Sequence, residues 1–314
     1  MRIALIDIKG DDARKISTNS SVNIRNMSIL AKEIGADFYY NTALLRKKKY
    51  DAIIFGFGSI ASEIEKTKKF VRESGAKKIF WLVGEYEQSM NPPLYYVCRD
   101  LNLRFITLQN FDLKAKKFGK FCKDQIFINI NLLIARKPNK LTPKKYDCLY
   151  YGRWRPDRAD YFKKYLTGEI FLSTDPKNMK KYKRVKCSPR YIKKLSWLAG
   201  GETLNHFRYS LYLEDQYTHK NFNNLANRYY EAGFCNNIVL FDKSTKNTIL
   251  KSELGRFIDQ VEQFIVKDRA DLDKKIKKFN QDFERYLAIQ KSWRVSQDIL
   301  RRAEIDKIKE VLNA

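Results

Sequence analysis

Tyr151-Gly152-Arg153-Trp154-Arg155-Pro156-Asp157-Arg158, directly after the strand-like run Tyr146–Tyr150, decides how this chain is read. It sets a glycine turn and several guanidinium groups where a strand hands over to a helix starting at Pro156. Such a turn is a natural phosphate site, because its free N–H groups and the arginine forks favour an anion. A second cluster, Asn227-Arg228-Tyr229-Tyr230-Glu231-Ala232-Gly233, directly precedes the strand-like run Asn237–Phe241. Arg228 and Glu231 are three apart, hence on one face of a short helix. A carboxylate cannot bind phosphate, but it can accept two hydroxyls of a ribose. Together the clusters imply a pocket for a nucleoside diphosphate. Each also has a plainer reading: surface arginines, an exposed i, i+3 ion pair, and core rings at Trp154, Tyr229 and Tyr230.

Outward from these clusters, strands alternate with helices. Strands are expected at Arg2–Asp7, Ala36–Tyr40, Asp51–Phe57, Lys78–Val83, Arg104–Leu108 and Ile126–Ile134. Helices are expected at Asn23–Ile34 and about Ile60–Ser74. After Ala135–Lys145, which holds two prolines and five basic residues and reads as a linker, the pattern restarts. Strands follow at Tyr146–Tyr151, Glu169–Leu172, Tyr209–Leu213, Asn237–Phe241 and Gln263–Val266. Helices are expected from Pro156 and at Asn223–Ala232, and everything beyond Arg269 reads as helical. This order argues for parallel sheets covered on both faces. The expected fold class is α/β, with two doubly wound Rossmann-like domains facing a cleft and a helical C-terminus. The expected boundaries are 1–140 for an acceptor-side domain carrying the base and 146–290 for a nucleotide-sugar domain. A final helix, 291–314, packs back on the first.

The 314 residues carry 62 Lys and Arg against 36 Asp and Glu, a net charge of +26. That excess exceeds what solubility requires and points to a polyanionic partner, nucleic acid first. The runs Arg46–Lys49 and Lys180–Lys186 read either as solvated faces or as phosphate contacts. Five cysteines without CxxC or Cys/His spacing suggest reduced thiols and a cytoplasmic location, and no apolar run suggests a membrane partner. Two histidines give poor support to a His-based zinc site or a Ser-His-Asp triad. No ligand cluster for a divalent metal is visible, and a metal requirement stays open.

Ligands of open parallel sheets bind outside the carboxyl ends of the strands. In the first half those ends lead to Gly56–Ser59 and to Gly84-Glu85-Tyr86-Glu87. Glu85, the first polar group after the strand ending at Val83, is the candidate general base, with Glu87 as the alternative.

These residues resemble the DNA β-glucosyltransferases of T-even bacteriophages, two-domain glycosyltransferases of the GT-B type. The resemblance runs over Met1–Asp7, Tyr50–Phe57, Lys78–Glu85, Asp147–Arg158, Phe222–Asp242 and Phe264–Ile276. It implies that Gly152, Arg153, Arg155 and Arg158 hold the diphosphate of a UDP-sugar, UDP-glucose first. Arg228 then reaches phosphate, Glu231 binds the ribose, and Asp215 contacts the cleft. Glu85 stands where the family carries an aspartate base, one methylene longer. Ser20-Ser21-Val22-Asn23 lacks the family's sugar-contacting glutamate. The implied activity is inverting transfer of a sugar to a hydroxymethylated pyrimidine flipped out of double-stranded viral DNA. A monomer in the cytoplasm of an infected host cell is implied as well. The alternatives are a GT-B transferase for a glycan or lipid-linked acceptor, and a non-catalytic DNA-binding protein on a degenerate transferase fold.

Overall fold

Ile3–Ile6 (β1) is a four-residue apolar run with every side chain buried, as a strand covered on both faces of a parallel sheet requires. The computed structural model describes residues 1–7, 22–39, 48–56, 64–83, 100–108, 125–133, 135–138, 140–152, 154–174, 176–185, 187–192, 202–214, 224–294 and 297–314. β1 pairs in parallel with Asp37–Tyr39 (β2) and Ala52–Phe55 (β3). Lys78–Val83 (β4), Arg104–Leu108 (β5) and Gln125–Ile128 (β6) extend the sheet, all in parallel, to the order β2-β1-β3-β4-β5-β6. Helix α1 (Val22–Ile34) buries Met27, Leu30, Ala31 and Ile34, an i, i+3, i+4, i+7 stripe. Helix α2 (Ile64–Ser74) lies between β3 and β4 in the chain.

The second sheet is also six-stranded and parallel. Its strands are Tyr146–Tyr151 (β7), Thr167–Ser173 (β8), Ser188–Ile192 (β9), Phe207–Tyr212 (β10), Ile238–Asp242 (β11) and Ile265–Val266 (β12). Their order, β12-β11-β10-β7-β8-β9, is the 3-2-1-4-5-6 order of dinucleotide-binding sheets read from the other edge. Connections that position the site are α3 (Ala159–Tyr165), α4 (Pro176–Arg184) and α5 (Asn227–Phe234). The chain ends in α6 (Arg269–Asn280), α7 (Phe283–Arg294) and α8 (Gln297–Asn313).

Two compact units result, Met1–Ile134 with Ile299–Ala314, and Ala135–Asp298. Within the first, Lys78 Nζ donates to the Leu312 carbonyl at 2.8 Å, and the Asn129 N–H donates to Glu304 Oε2 at 3.2 Å. Within the second, the proline-containing stretch after Ala135 is tied down: Lys144 Nζ donates to the Cys235 carbonyl at 2.6 Å and to Asn237 Oδ1 at 2.7 Å. Burial lowers the Lys144 ammonium to about 8.

Two expectations are corrected. The strand expected over Ile126–Ile134 ends at Ile128, and a helical turn, Ile130–Leu133, replaces the rest. Asn129 makes the break, because its Oδ1 accepts the Leu132 N–H at 3.1 Å, the exchange of a helix cap. The unexpected strand β9, Ser-Pro-Arg-Tyr-Ile, is a polar edge strand with a proline, which an edge tolerates. Among the described residues no helix is long and apolar enough to cross a membrane.

Candidate functional site

The strand order of the second sheet reverses between β7 and β10, which pair directly, Ser210 opposite Leu149. A crevice opens at such a reversal, outside the carboxyl ends of the two strands. The residues leaving those ends are Gly152 after β7 and Leu213-Glu214 after β10. The aromatic pair at the end of β7 alternates across the sheet. Tyr150 turns toward Arg158 and Tyr151 toward α5.

Two arginines from distant parts of the chain converge on Glu214. Arg228, in the first turn of α5, donates from Nη2 to both Glu214 carboxylate oxygens at 3.2 and 3.1 Å, and from Nη1 to the Leu213 carbonyl at 3.1 Å. Arg158, the last residue of the 3-10 turn Pro156–Arg158, donates from Nη2 to Glu214 Oε1 and from Nη1 to the Tyr150 hydroxyl. The side chains of Arg158 and Glu214 are 4% and 3% exposed and that of Arg228 is 14% exposed. Burial works against the Arg228 charge, but Glu214, together with Tyr150 and Tyr212, holds the guanidinium above its ordinary value. One carboxylate thus faces two guanidiniums.

Gly152 lets this cluster close. A β-carbon there would meet the Tyr150 hydroxyl at 2.9 Å and Arg228 Nη1 at 3.5 Å. Its carbonyl accepts from Thr174 Oγ1 at 2.8 Å, which fixes the turn against the end of β8. Glu231 does not pair with Arg228. It is 2% exposed, its Oε2 accepts the Tyr151 hydroxyl at 2.9 Å, and its Oε1 lies 3.9 Å from Arg136 Nη2 without a hydrogen bond. Burial pushes the Glu231 carboxyl above the ordinary glutamate range, against the pull of Arg136 and Tyr151. Counting Arg136, three guanidiniums stand against two carboxylates among the described residues. Burying ions costs several kcal/mol apiece unless opposite charge is close, and Glu214 brings it to both Arg158 and Arg228.

No family model and no curated protein matches the sequence. Solved structures do match the fold. A structure of the DNA-modifying enzyme β-glucosyltransferase has a TM-score of 0.71 at 17% identity, with 100% of each chain covered. One of T4 phage β-glucosyltransferase has a TM-score of 0.70 at 18% identity, again over 100% of each chain. The chain has the GT-B fold. An α-glucosyltransferase in complex with UDP-glucose and DNA containing an abasic site is more distant, with a TM-score of 0.56 at 14% identity over 99% of this chain and 95% of that one.

Within this fold, the structure brings together Gly152, Arg158, Arg228 and Glu231 of the expected site. Arg155 is exposed at the extended residue before the turn. Arg153, Asp215, Glu85 and Glu87 lie outside the described residues, as do Ser20 and Ser21. Trp154 packs on Phe162 and Tyr182 at 5.3 and 5.2 Å between ring centroids, and Tyr229 and Tyr230 are buried. The described rings among the stacking candidates therefore pack within the protein. Sequence reasoning missed Glu214, Tyr150, Tyr151 and Arg136. Glu214 stands two residues after β10, and Gly152 one after β7. Among the described residues no group of three or more His, Cys, Asp or Glu side chains could hold a metal ion.

Proposed function

We propose that the protein is a UDP-sugar-dependent glycosyltransferase that moves a hexose, glucose, to a hydroxymethylated pyrimidine of double-stranded viral DNA in the infected cell. The carrying observation is the buried arginine pair at the strand-order reversal of the second sheet, two guanidiniums that converge on one carboxylate beside the Gly152 turn. A diphosphate offers oxygens in the geometry that guanidinium forks bind bidentately. Arg158 and Arg228, with Gly152, Arg153 and Arg155, hold that diphosphate, and Asp215 borders the same pocket. Glu231 accepts the ribose hydroxyls, which offer the buried carboxylate the hydrogen bonds it lacks. The likeness to enzymes named for DNA modification and UDP-glucose supports the donor and acceptor classes.

In this reading the acceptor hydroxymethyl oxygen bonds to the anomeric carbon as the bond from that carbon to the UDP oxygen breaks. The electron pair leaves with UDP, whose charge the arginines stabilise. Glu85 takes the hydroxyl proton, and the single displacement inverts the anomeric centre. A base inside a duplex has to be flipped out first. The test is transfer of labelled glucose from UDP-glucose to a duplex containing 5-hydroxymethylcytosine. Product is expected with wild type, and Glu85→Gln should lower its rate about a hundredfold or more with UDP affinity unchanged. If Glu87→Gln has that effect instead, the base is Glu87. Absence of product together with tight duplex binding would favour the non-catalytic DNA-binding alternative.

A further inference from the structure

Helix α4, Pro-Lys-Asn-Met-Lys-Lys-Tyr-Lys-Arg, contains no acidic residue. Lys180, Lys181, Lys183 and Arg184 are exposed, and none of them makes an ion pair with a described residue. At 100° per residue these four side chains fall within an arc of about 160° on about 6 Å of helix axis. Tyr182 projects from the opposite side and is fully buried. Its ring packs on Phe162 at 4.7 Å and Trp154 at 5.2 Å, and its hydroxyl is 3.5 Å from the Gly152 carbonyl. The basic face is therefore anchored, through one tyrosine, to the turn that carries the arginine cluster.

The chain's other basic run behaves differently. Lys48 pairs with Asp37 at 3.4 Å, and Lys49 donates to the Glu73 carbonyl at 3.3 Å. In α8, basic and acidic residues alternate, with Lys307 bonded to Glu304 at 3.0 Å. Among the described residues no carboxylate pairs with these four cations, and an external polyanion would neutralise them. Like charges crowded on one short helix destabilise it by a few tenths of a kcal/mol per pair, so the uncompensated face is a cost to the free protein.

We infer that the α4 face, turned outward from the helix that leans on the Gly152 turn, grips the phosphate backbone of duplex DNA. This rests on the reading of DNA as acceptor and adds the surface that binds it. The contact is to phosphates, so it carries no sequence preference. Each neutralised phosphate releases counterions and steepens the dependence of affinity on salt, by about 0.9 in log–log slope per contact.

The test measures fluorescence anisotropy of a labelled, unmodified 24-base-pair duplex across a salt series. The quadruple variant K180Q/K181Q/K183Q/R184Q should lower the slope by about 3 and weaken binding at least tenfold near physiological salt. A control variant, R302Q/K309Q on α8, should change the slope by less than about 0.5. UDP affinity of both variants, measured by calorimetry, reports that the second unit is folded. An unchanged slope in the quadruple variant with UDP bound normally overturns the inference and leaves the transferase reading intact. So does an equal loss per charge in the control, which makes the effect one of net charge. A lowered slope in the variant, with wild type itself neither binding UDP nor transferring sugar and the variant's circular dichroism matching wild type, would sustain the grip and sink the transferase reading.

Discussion

The two sheets share a parallel, doubly wound plan, yet the described residues at their strand-order reversals differ in charge. In the first unit the reversal falls between β1 and β3, and the residues leaving those strands are Asp7 and Gly56. Asp7 is fully buried, and Gly56 lies so close that a β-carbon on it would come within 2.5 Å of Asp7 Oδ1. In the second unit the reversal falls between β7 and β10, and Gly152 stands beside Glu214 under two arginines. Each crevice needs a glycine for close approach, but among the described residues the first presents a carboxylate there and the second a pair of guanidiniums. Topology supplies the crevice and a few strand-end residues decide what it can bind.

The comparison can be broken first at Glu214. Removing one partner of a buried ion pair typically costs about 3–5 kcal/mol. Glu214→Ala should therefore lower unfolding stability on that scale, and saturating UDP should restore more stability to the variant than it adds to wild type. A loss under about 1 kcal/mol in chemical denaturation would mean the arginines do not depend on this carboxylate.

The glycines are the next lever. Gly56→Ala drives a methyl group into the rigid base of Asp7, with Cγ at 2.6 Å and Cβ at 2.7 Å. Overpacking of this kind costs about 1–3 kcal/mol. Gly152→Ala meets the far end of Tyr150 and a guanidinium that can shift, so it should cost under about 1 kcal/mol while weakening UDP binding. Thermal unfolding and calorimetry on the pair would separate a structural glycine from one at a binding turn. Equal unfolding midpoints would remove the distinction.

The smallest effect is in pH. The Glu231 carboxyl is raised, so folding takes up protons and stability falls as pH rises from the ordinary glutamate value, about 4.3, through the folded value. Glu231→Gln removes that penalty, and its stability relative to wild type should improve with pH across this range. Asp242 has the opposite sign. Burial alone would raise it, but hydrogen bonds led by Ser244, with Tyr165 and Lys164, hold it below the ordinary range. Asp242→Asn should cost stability at neutral pH, and the cost should fade as pH drops below the ordinary aspartate value. Unfolding midpoints relative to wild type, taken from about pH 2 to 7, that move together in the two variants would contradict these assignments.

Much of this was legible in the sequence because parallel strands announce themselves as apolar runs. β1, β3 and β11 are buried throughout, and the arginine-rich turn stands out by composition. Strand β9 was not legible, since an exposed polar edge strand has no hydrophobic period. The end of β6 was lost because Asn129 acts through a local cap that periodicity does not register. Glu214 was hidden for another reason. Its importance comes from Arg158 and Arg228, which meet it only when β7 and β10 pair. Arg136 and Lys144 sit in a stretch whose prolines and charges read as solvated linker, and only tertiary contacts with α5 and the residues after it show their burial.

The central claim, that the arginine cluster of the second reversal receives a nucleoside diphosphate, is tested most directly by calorimetric titration of UDP. Wild type should bind. Arg228→Ala and Glu231→Ala should each weaken binding by roughly 1–3 kcal/mol, the scale of a lost charged hydrogen bond, while Lys181→Ala on α4 should leave it unchanged. Equal UDP affinity in wild type, Arg228→Ala and Glu231→Ala would contradict the assignment.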